Sequence, residues 1–263
     1  MARLVFLSVA LLAAFALHAP PASAQLAAKY VSGDDIVVPS YIANAIASPK
    51  RPGSDKERDA GRQPAKAMAF FGVKPGDNVA ELITAGGYYA AVLSGIVGDS
   101  GKVYGQANEW FMGRQKEGSP LLKRVAADRL TNVEEVIFEL EDSGLPKGEM
   151  DAVFIVLIYH DTAGGFNTNR ASMNKAIYDS LKPGGIYGII DHHASPGMGV
   201  LDTMKNHRIE RHIVVDEITA AGFELAAETD LLENLDDPMD VSAFSPAVRG
   251  NTHRMVLKFK KPG

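Results

Sequence analysis

The chain has 263 residues, with 27 Lys and Arg against 32 Asp and Glu, a formal charge of −5 when the histidines are neutral. A net negative chain argues against nucleic acid as a main partner, because phosphate binding needs a basic face. It contains no Cys, which excludes disulfides, thiolate catalysis and cysteine-held zinc.

The first 24 residues read as a secretory signal peptide. Arg3 supplies the positive start, residues 4–17 form an apolar run, and Ala22-Ser23-Ala24 offers a small-x-small cleavage site before Gln25. The run is shorter than the roughly 20 apolar residues of a spanning helix. Cleavage after Ala24 is therefore expected to leave no stable membrane anchor, and a secreted or periplasmic protein. The removed segment carries Arg3 and no acid, which leaves 26 basic against 32 acidic residues and a formal charge of −6.

Residues 25–54, with Pro39, Pro49 and Pro52, are expected to form an irregular lead-in with a short helical turn near 41–47. Residues 55–263 are expected to make one domain. A helix follows from Asp55, interrupted or kinked at Pro64, and 73–77 reads as a tight turn. The chain then alternates. Strands are expected at 78–83, 102–107, 133–140, 151–159 and 186–190, and helices at 86–97, 121–128, 169–181 and 210–221. A closing strand pair is expected at 223–231 and 254–260. Strands apolar on both faces and separated by helices indicate a doubly wound, Rossmann-like α/β domain with a mainly parallel sheet. The closing pair, joined without a helix, implies an antiparallel edge strand. The segment 234–251 is a long insertion of the kind that forms lids or binding loops.

In a doubly wound sheet the ligand binds outside the carboxyl ends of the strands. After the first of these strands comes Glu81-Leu82-Ile83-Thr84-Ala85-Gly86-Gly87-Tyr88-Tyr89. A glycine turn entering a helix lets a ligand approach the backbone there. Around it stand, in order, Gly72-Val73-Lys74-Pro75-Gly76, Gly101-Lys102-Val103-Tyr104-Gly105, Glu141-Asp142-Ser143-Gly144, Asp151-Ala152-Val153-Phe154, Leu181-Lys182-Pro183-Gly184-Gly185 and Ala220-Ala221-Gly222-Phe223. This series resembles the class I S-adenosylmethionine-dependent methyltransferases, and within them a group of predicted exported bacterial methyltransferases.

The resemblance implies a seven-stranded methyltransferase sheet with an antiparallel last strand, and S-adenosylmethionine as cofactor. At matching positions it implies that Glu81 fixes the methionine end and that Gly86 and Gly87 lie beside it. Glu141 stands where an acid meets the adenine, with Asp142 next to it. Tyr159 and His160 fall where the family places catalytic or substrate-contacting residues. The chain departs from the pattern at Ile83 and Ala85, which replace motif glycines, and at Ala107, which replaces the ribose-binding acid. Gln106, Asn108 or Glu109 could substitute for that acid, and Tyr88 or Tyr89 could pack on a sulfonium through cation–π contact. Trp110-Phe111-Met112 could wall the pocket.

His160-Asp161 and Asp191-His192-His193 end neighbouring strands and should share a rim. One use is acid–base work, with His160 as base and Asp161 or His192 orienting it. Another is a metal site, but a catechol-type arrangement would need a ligand at Val156, and no metal ligand is assigned. Capping of strand ends is the structural alternative. His207-Arg208 and Arg211-His212 read as surface charges, and Arg58, Asp59 and Arg62 either close over the cofactor or form a solvated helix face. The leading expectation is methyl transfer to an unidentified small acceptor, apolar or aromatic. The alternative is a non-catalytic exported binding protein that keeps the fold.

Overall fold

The computed structural model describes residues 28–142, 144–166 and 168–263; the signal peptide expected at 1–24 lies outside the described residues. The chain opens with β1 (Lys29–Val31) and helix α1 (Ser40–Ala47), followed by α2 (Gly53–Arg62) and α3 (Pro64–Phe71). Then come β2 (Asn78–Leu82), α4 (Tyr88–Val97), β3 (Lys102–Ala107), the short α5 (Glu109–Met112), α6 (Pro120–Asp128) and β4 (Val133–Ile137). The second half holds β5 (Met150–Val156), α7 (Tyr159–Thr162), α8 (Arg170–Ser180), β6 (Leu181–His192), α9 (Thr203–Asn206), α10 (Arg211–Ala220), β7 (Glu224–Thr229) and β8 (Arg254–Lys260).

These strands form one sheet in the order β1-β7-β8-β6-β5-β2-β3-β4. All pairs are parallel except those of β8, which runs antiparallel to both β6 and β7. The antiparallel last strand expected from sequence is therefore β8, and it lies between two neighbours. The sheet has eight strands where seven were expected. The extra one is β1, whose Lys29–Val31 pairs with 227–229 of β7. Only three residues long and largely exposed, β1 carries no alternating apolar pattern to betray it. The lead-in is thus part of the fold, and α1 packs on α4 with Ile42 fully buried.

Strand residues alternate between two apolar layers. In β5, Ala152, Phe154 and Val156 face one layer with Met68, Phe71 and Leu93, while Val153 and Ile155 face the other with Met173, Ile177 and Ile218. This is the period-2 geometry of a strand buried on both sides. Pro64 stands where the sequence placed a break. Gln63 takes φ +42, and Pro64 restarts the helix at its first position, where no N–H is needed.

The insertion before β8 is irregular and pinned. Arg208, fully buried, forms two hydrogen bonds with Asp237 at 2.9 and 3.0 Å, and donates to the carbonyls of His193 and Val241. Asn234 Nδ2 donates to the Asn251 carbonyl at 2.6 Å, closing the base of the insertion. At Gly61 a Cβ would lie 2.3 Å from the Gly250 carbonyl oxygen, so only glycine lets α2 meet the insertion this closely. The Arg208 pair is what holds the insertion down. Removing one partner of a buried ion pair strands the other charge, so Arg208→Met should cost about 3–5 kcal/mol. Urea denaturation measures the loss, and limited proteolysis should then cut within 234–251.

Candidate functional site

The turn after β2 keeps the left-handed backbone of a glycine motif with two of its glycines replaced. Ile83 and Ala85 both take φ +50, and Gly87 takes φ +71. A left-handed conformation costs an L-residue roughly 1–2 kcal/mol, so something must hold it. Gln106, fully buried at the end of β3, is that clamp. Its Oε1 accepts from the Ile83 N–H at 2.9 Å, and its carbonyl accepts from the Thr84 N–H at 2.9 Å. Its Nε2 donates to the Phe138 carbonyl at 2.5 Å. The Gln106 amide, expected to face a cofactor, is thus used inside the protein.

Glu81 sits beneath this turn, 5% exposed, and its Oε2 has no hydrogen-bond partner. Burial pushes its carboxyl up to about 8, against the opposing pull of the Ala90 N–H at the start of α4 and of Arg62. Above the turn, a Cβ on Gly86 would meet nothing within 4 Å, whereas one on Gly87 would strike Leu121 at 2.9 Å. Tyr88 and Tyr89 are both buried and meet edge to face at 4.9 Å. The Tyr88 hydroxyl donates to Asp59 at 2.6 Å, and the Arg62 guanidinium lies 4.5 Å from the centre of the Tyr88 ring. So α2 does close over the start of α4, although two of its charges are spoken for: Asp59 by Arg51, and Arg58 by Asp55.

Two of the positions expected to hold the nucleoside are engaged elsewhere. Asn108 caps α5 by accepting from the Phe111 N–H. Glu141 accepts from the Asn169 N–H at 2.7 Å, just before α8, and Asp142 is exposed. Trp110 packs edge-on against Phe166 under the Arg114 guanidinium. Glu109, the remaining candidate after β3, is exposed, and its carboxylate has no side-chain partner among the described residues. The turn after β2 therefore has a free buried carboxyl oxygen beneath it and open space above Gly86.

The histidine rim is organised by Asp191. This fully buried carboxylate accepts from His160 Nδ1 at 2.8 Å, the His160 N–H at 2.8 Å and the His192 N–H at 2.7 Å. His160 is therefore oriented by Asp191, where the sequence suggested Asp161 or His192. Burial alone would hold Asp191 up and His160 down, but their mutual attraction wins, so the carboxyl lies below and the imidazole above its ordinary value. His160 Nε2 is buried and unpartnered. It faces Asp161 Oδ1 at 3.4 Å, and His207 Nδ1 faces the same oxygen at 3.4 Å. His207 was read as a surface charge. It takes φ +54 just after α9, and its spacing from His160 in sequence carries no signal of their contact.

His192 is a different case. Burial pushes its imidazole down to about 3. The Thr252 hydroxyl accepts from Arg254 Nε at 3.0 Å and lies 2.6 Å from His192 Nδ1. Assigned from this network, Thr252 donates to Nδ1 and the His192 proton resides on Nε2. His193 Nδ1 sits 2.8 Å from the Ala194 carbonyl, a local contact.

Between α2, the ends of β5 and β6, and the insertion lies a cavity of about 730 Å³. Leu157, His192 and Phe244 line it together with Arg58, Arg62, Arg249 and Arg254, against a single acid, Glu57. A second cavity, about 540 Å³, opens near Ser94, Asp99 and Asn132, at the amino ends of β3 and β4 and away from the ligand-binding rim of such a sheet.

No protein-family model matches the sequence, and no curated protein matches it. Solved structures do. An S-adenosylmethionine-dependent methyltransferase from Aquifex aeolicus aligns with a TM-score of 0.56 at 20% identity, covering 80% of this chain and 98% of that one. The geranyl diphosphate C-methyltransferase of Streptomyces coelicolor A3(2), crystallised with Mg2+, geranyl-S-thiolodiphosphate and S-adenosyl-L-homocysteine, gives 0.56 at 13% identity, covering 82% and 84%. The [4+2]-cyclase SpnF gives 0.53 at 14% identity, covering 89% and 98%. The likeness is one of fold, and the chain has the class I methyltransferase fold.

Two predictions test the turn. Ala85→Gly relieves a left-handed alanine but adds chain entropy to the unfolded state, so it should stabilise by about 0.5–1 kcal/mol in urea denaturation. Glu81→Gln tests the buried carboxyl. Its folded pKa lies above the unfolded one, so the wild type loses stability as pH rises from about 4.5 to about 8. The variant should melt with the wild type near pH 5 and above it near pH 9.

Proposed function

We propose that the chain binds S-adenosylmethionine by its methionine end and transfers the methyl group to a small acceptor that carries an anionic oxygen. The observation that carries this reading is the turn after β2. It keeps three left-handed positions above a buried Glu81 whose Oε2 is free. A buried carboxyl held near neutrality is suited to an arriving ammonium group, which restores its charge. The class I fold of the solved methyltransferases supports the same assignment.

When bound, the cofactor supplies a methyl group on a sulfonium, which an anionic oxygen takes with no proton to remove. The chain's own residues fit such an acceptor. His192, held at about 3 with its proton on Nε2, is a donor at the cavity and a poor base. His160 Nε2, the base suggested by the sequence, is shut away from solvent between Asp161 and His207. The cavity's arginines attract and orient an anion, and alignment alone can supply a large part of the acceleration. In this reading an acidic group is added to the small apolar or aromatic acceptor expected from sequence. Export from the cytoplasm, read from Arg3, the apolar run and Ala22-Ser23-Ala24, is part of the same proposal.

A second reading has its own support. With Ala107 in place of the ribose acid and Glu141 tied to Asn169, the chain could serve as an exported binding protein that retains the pocket without the transfer. Calorimetry tests the first reading. S-adenosylmethionine or S-adenosylhomocysteine should give saturable heat, weakened at least tenfold by Glu81→Gln. No heat from either at millimolar ligand removes the methyltransferase reading.

A further inference from the structure

We propose that His160, Asp161 and His207 form a binding site for one divalent first-row transition ion, beside the arginine-lined cavity. The three side chains each present a ligand atom, and these atoms lie within 4.8 Å of one another. His160 Nε2 and His207 Nδ1 are both buried and neither has a hydrogen-bond partner. Each stands 3.4 Å from Asp161 Oδ1, with geometry that makes no hydrogen bond. Ligand atoms about 2.0–2.2 Å from a zinc ion at tetrahedral angles stand about 3.4 Å apart. The two nitrogen–oxygen separations therefore already match the edges of such a site.

The surroundings are those of a ligand set. Asp191 holds His160 Nδ1 at 2.8 Å, which fixes the tautomer with the lone pair on Nε2, aimed at Asp161. A carboxylate behind a histidine is the usual outer support of a metal ligand. His207 is presented from a left-handed position, φ +54, after α9. Its ring meets His160 edge-on at 5.4 Å and is backed by Phe244 at 4.6 Å. Both Phe244 and His192, whose ring lies 5.7 Å from that of His160, line the cavity. Three protein ligands leave one tetrahedral position, which a water molecule would fill. Two imidazoles and a carboxylate suit zinc, iron, cobalt or nickel rather than calcium or magnesium. The ion takes the lone pair of His160 Nε2, a second reason why this nitrogen serves no acceptor as a base.

This site stands apart from the cofactor reading, since its test needs no cofactor. The untagged full chain, stripped with EDTA, is titrated with Zn2+ against a chromophoric chelator and separately with Co2+. One ion per chain is expected, with visible Co2+ bands of four- or five-coordinate geometry. His207→Ala and Asp161→Asn, both at partly exposed positions, should weaken Zn2+ binding at least 100-fold, while His193→Ala leaves it unchanged. Asp191→Asn should weaken it about 10–100-fold without abolishing it. Circular dichroism confirms that each variant is folded. Failure of the wild type to bind stoichiometric Zn2+, or binding unaffected by His207→Ala, overturns the site.

Discussion

The rim of this protein depends on one buried carboxylate. Asp191 stands at the carboxyl end of β6 with no exposure to water, and an ion in such a place costs several kcal/mol unless its oxygens are satisfied. The chain satisfies them with three donors drawn from two strand ends. Parallel pairing puts those ends side by side, because the crossover through α8 returns β6 in the direction of β5. After β5, Leu157 turns through φ +59 and donates to the Ile190 carbonyl, and α7 begins where His160 can reach Asp191 from backbone and side chain together. The result is an imidazole that cannot rotate, with one nitrogen spent on Asp191 and the other aimed at Asp161.

The first strand's turn shows the reverse economy, in which a conformation survives the loss of the residues that favour it. Glycines would adopt the left-handed positions at 83 and 85 freely. Here Ile83 is held by Gln106, which also ties the turn to the segment after β4. The strain is local and the clamp is buried, so the open backbone above Gly86 persists. The nucleoside side lacks such a clamp. At its expected positions, Asn108 and Glu141 have been drawn into capping contacts.

Much of this fold was legible because burial on both faces leaves strong signals. β3 and β8 begin and end where apolar runs and turn residues say they should, and Pro64 breaks its helix as its ring requires. What stayed hidden had no local signature. β1 is a three-residue edge strand whose only pattern is its pairing with β7. His207 comes to His160 through the fold of 194–207, and nothing in a His-Arg pair before a helix separates a ligand from a surface charge. Asp191 was visible as a rim acid, but its role as the orienter of His160 depends on a register that one sequence does not reveal. The Glu81 turn was legible by resemblance, whereas the conformation of Ile83 and Ala85 was not, since both residues ordinarily avoid it.

Charge bookkeeping around the cavity gives the strongest constraint on what enters it. The chain is negative overall, and its buried arginines are generally matched: Arg208 by Asp237, Arg51 by Asp59, Arg124 by Asp55 and Asp128. Arg254 differs. It is 3% exposed and gives its hydrogen bonds to Thr252 Oγ1 and to the carbonyls of Gly61 and Gly250, all neutral oxygens. Burial accordingly pulls its guanidinium below the usual arginine range, and Arg62 beside it adds a second positive charge. Among the described residues neither Arg62 nor Arg254 has an acid within ion-pair distance. On the proposed function, the counter-charge to these two adjacent cations comes from the ligand. A neutral apolar acceptor would bury those arginines further with nothing in return, whereas a carboxylate or phosphate would complete them.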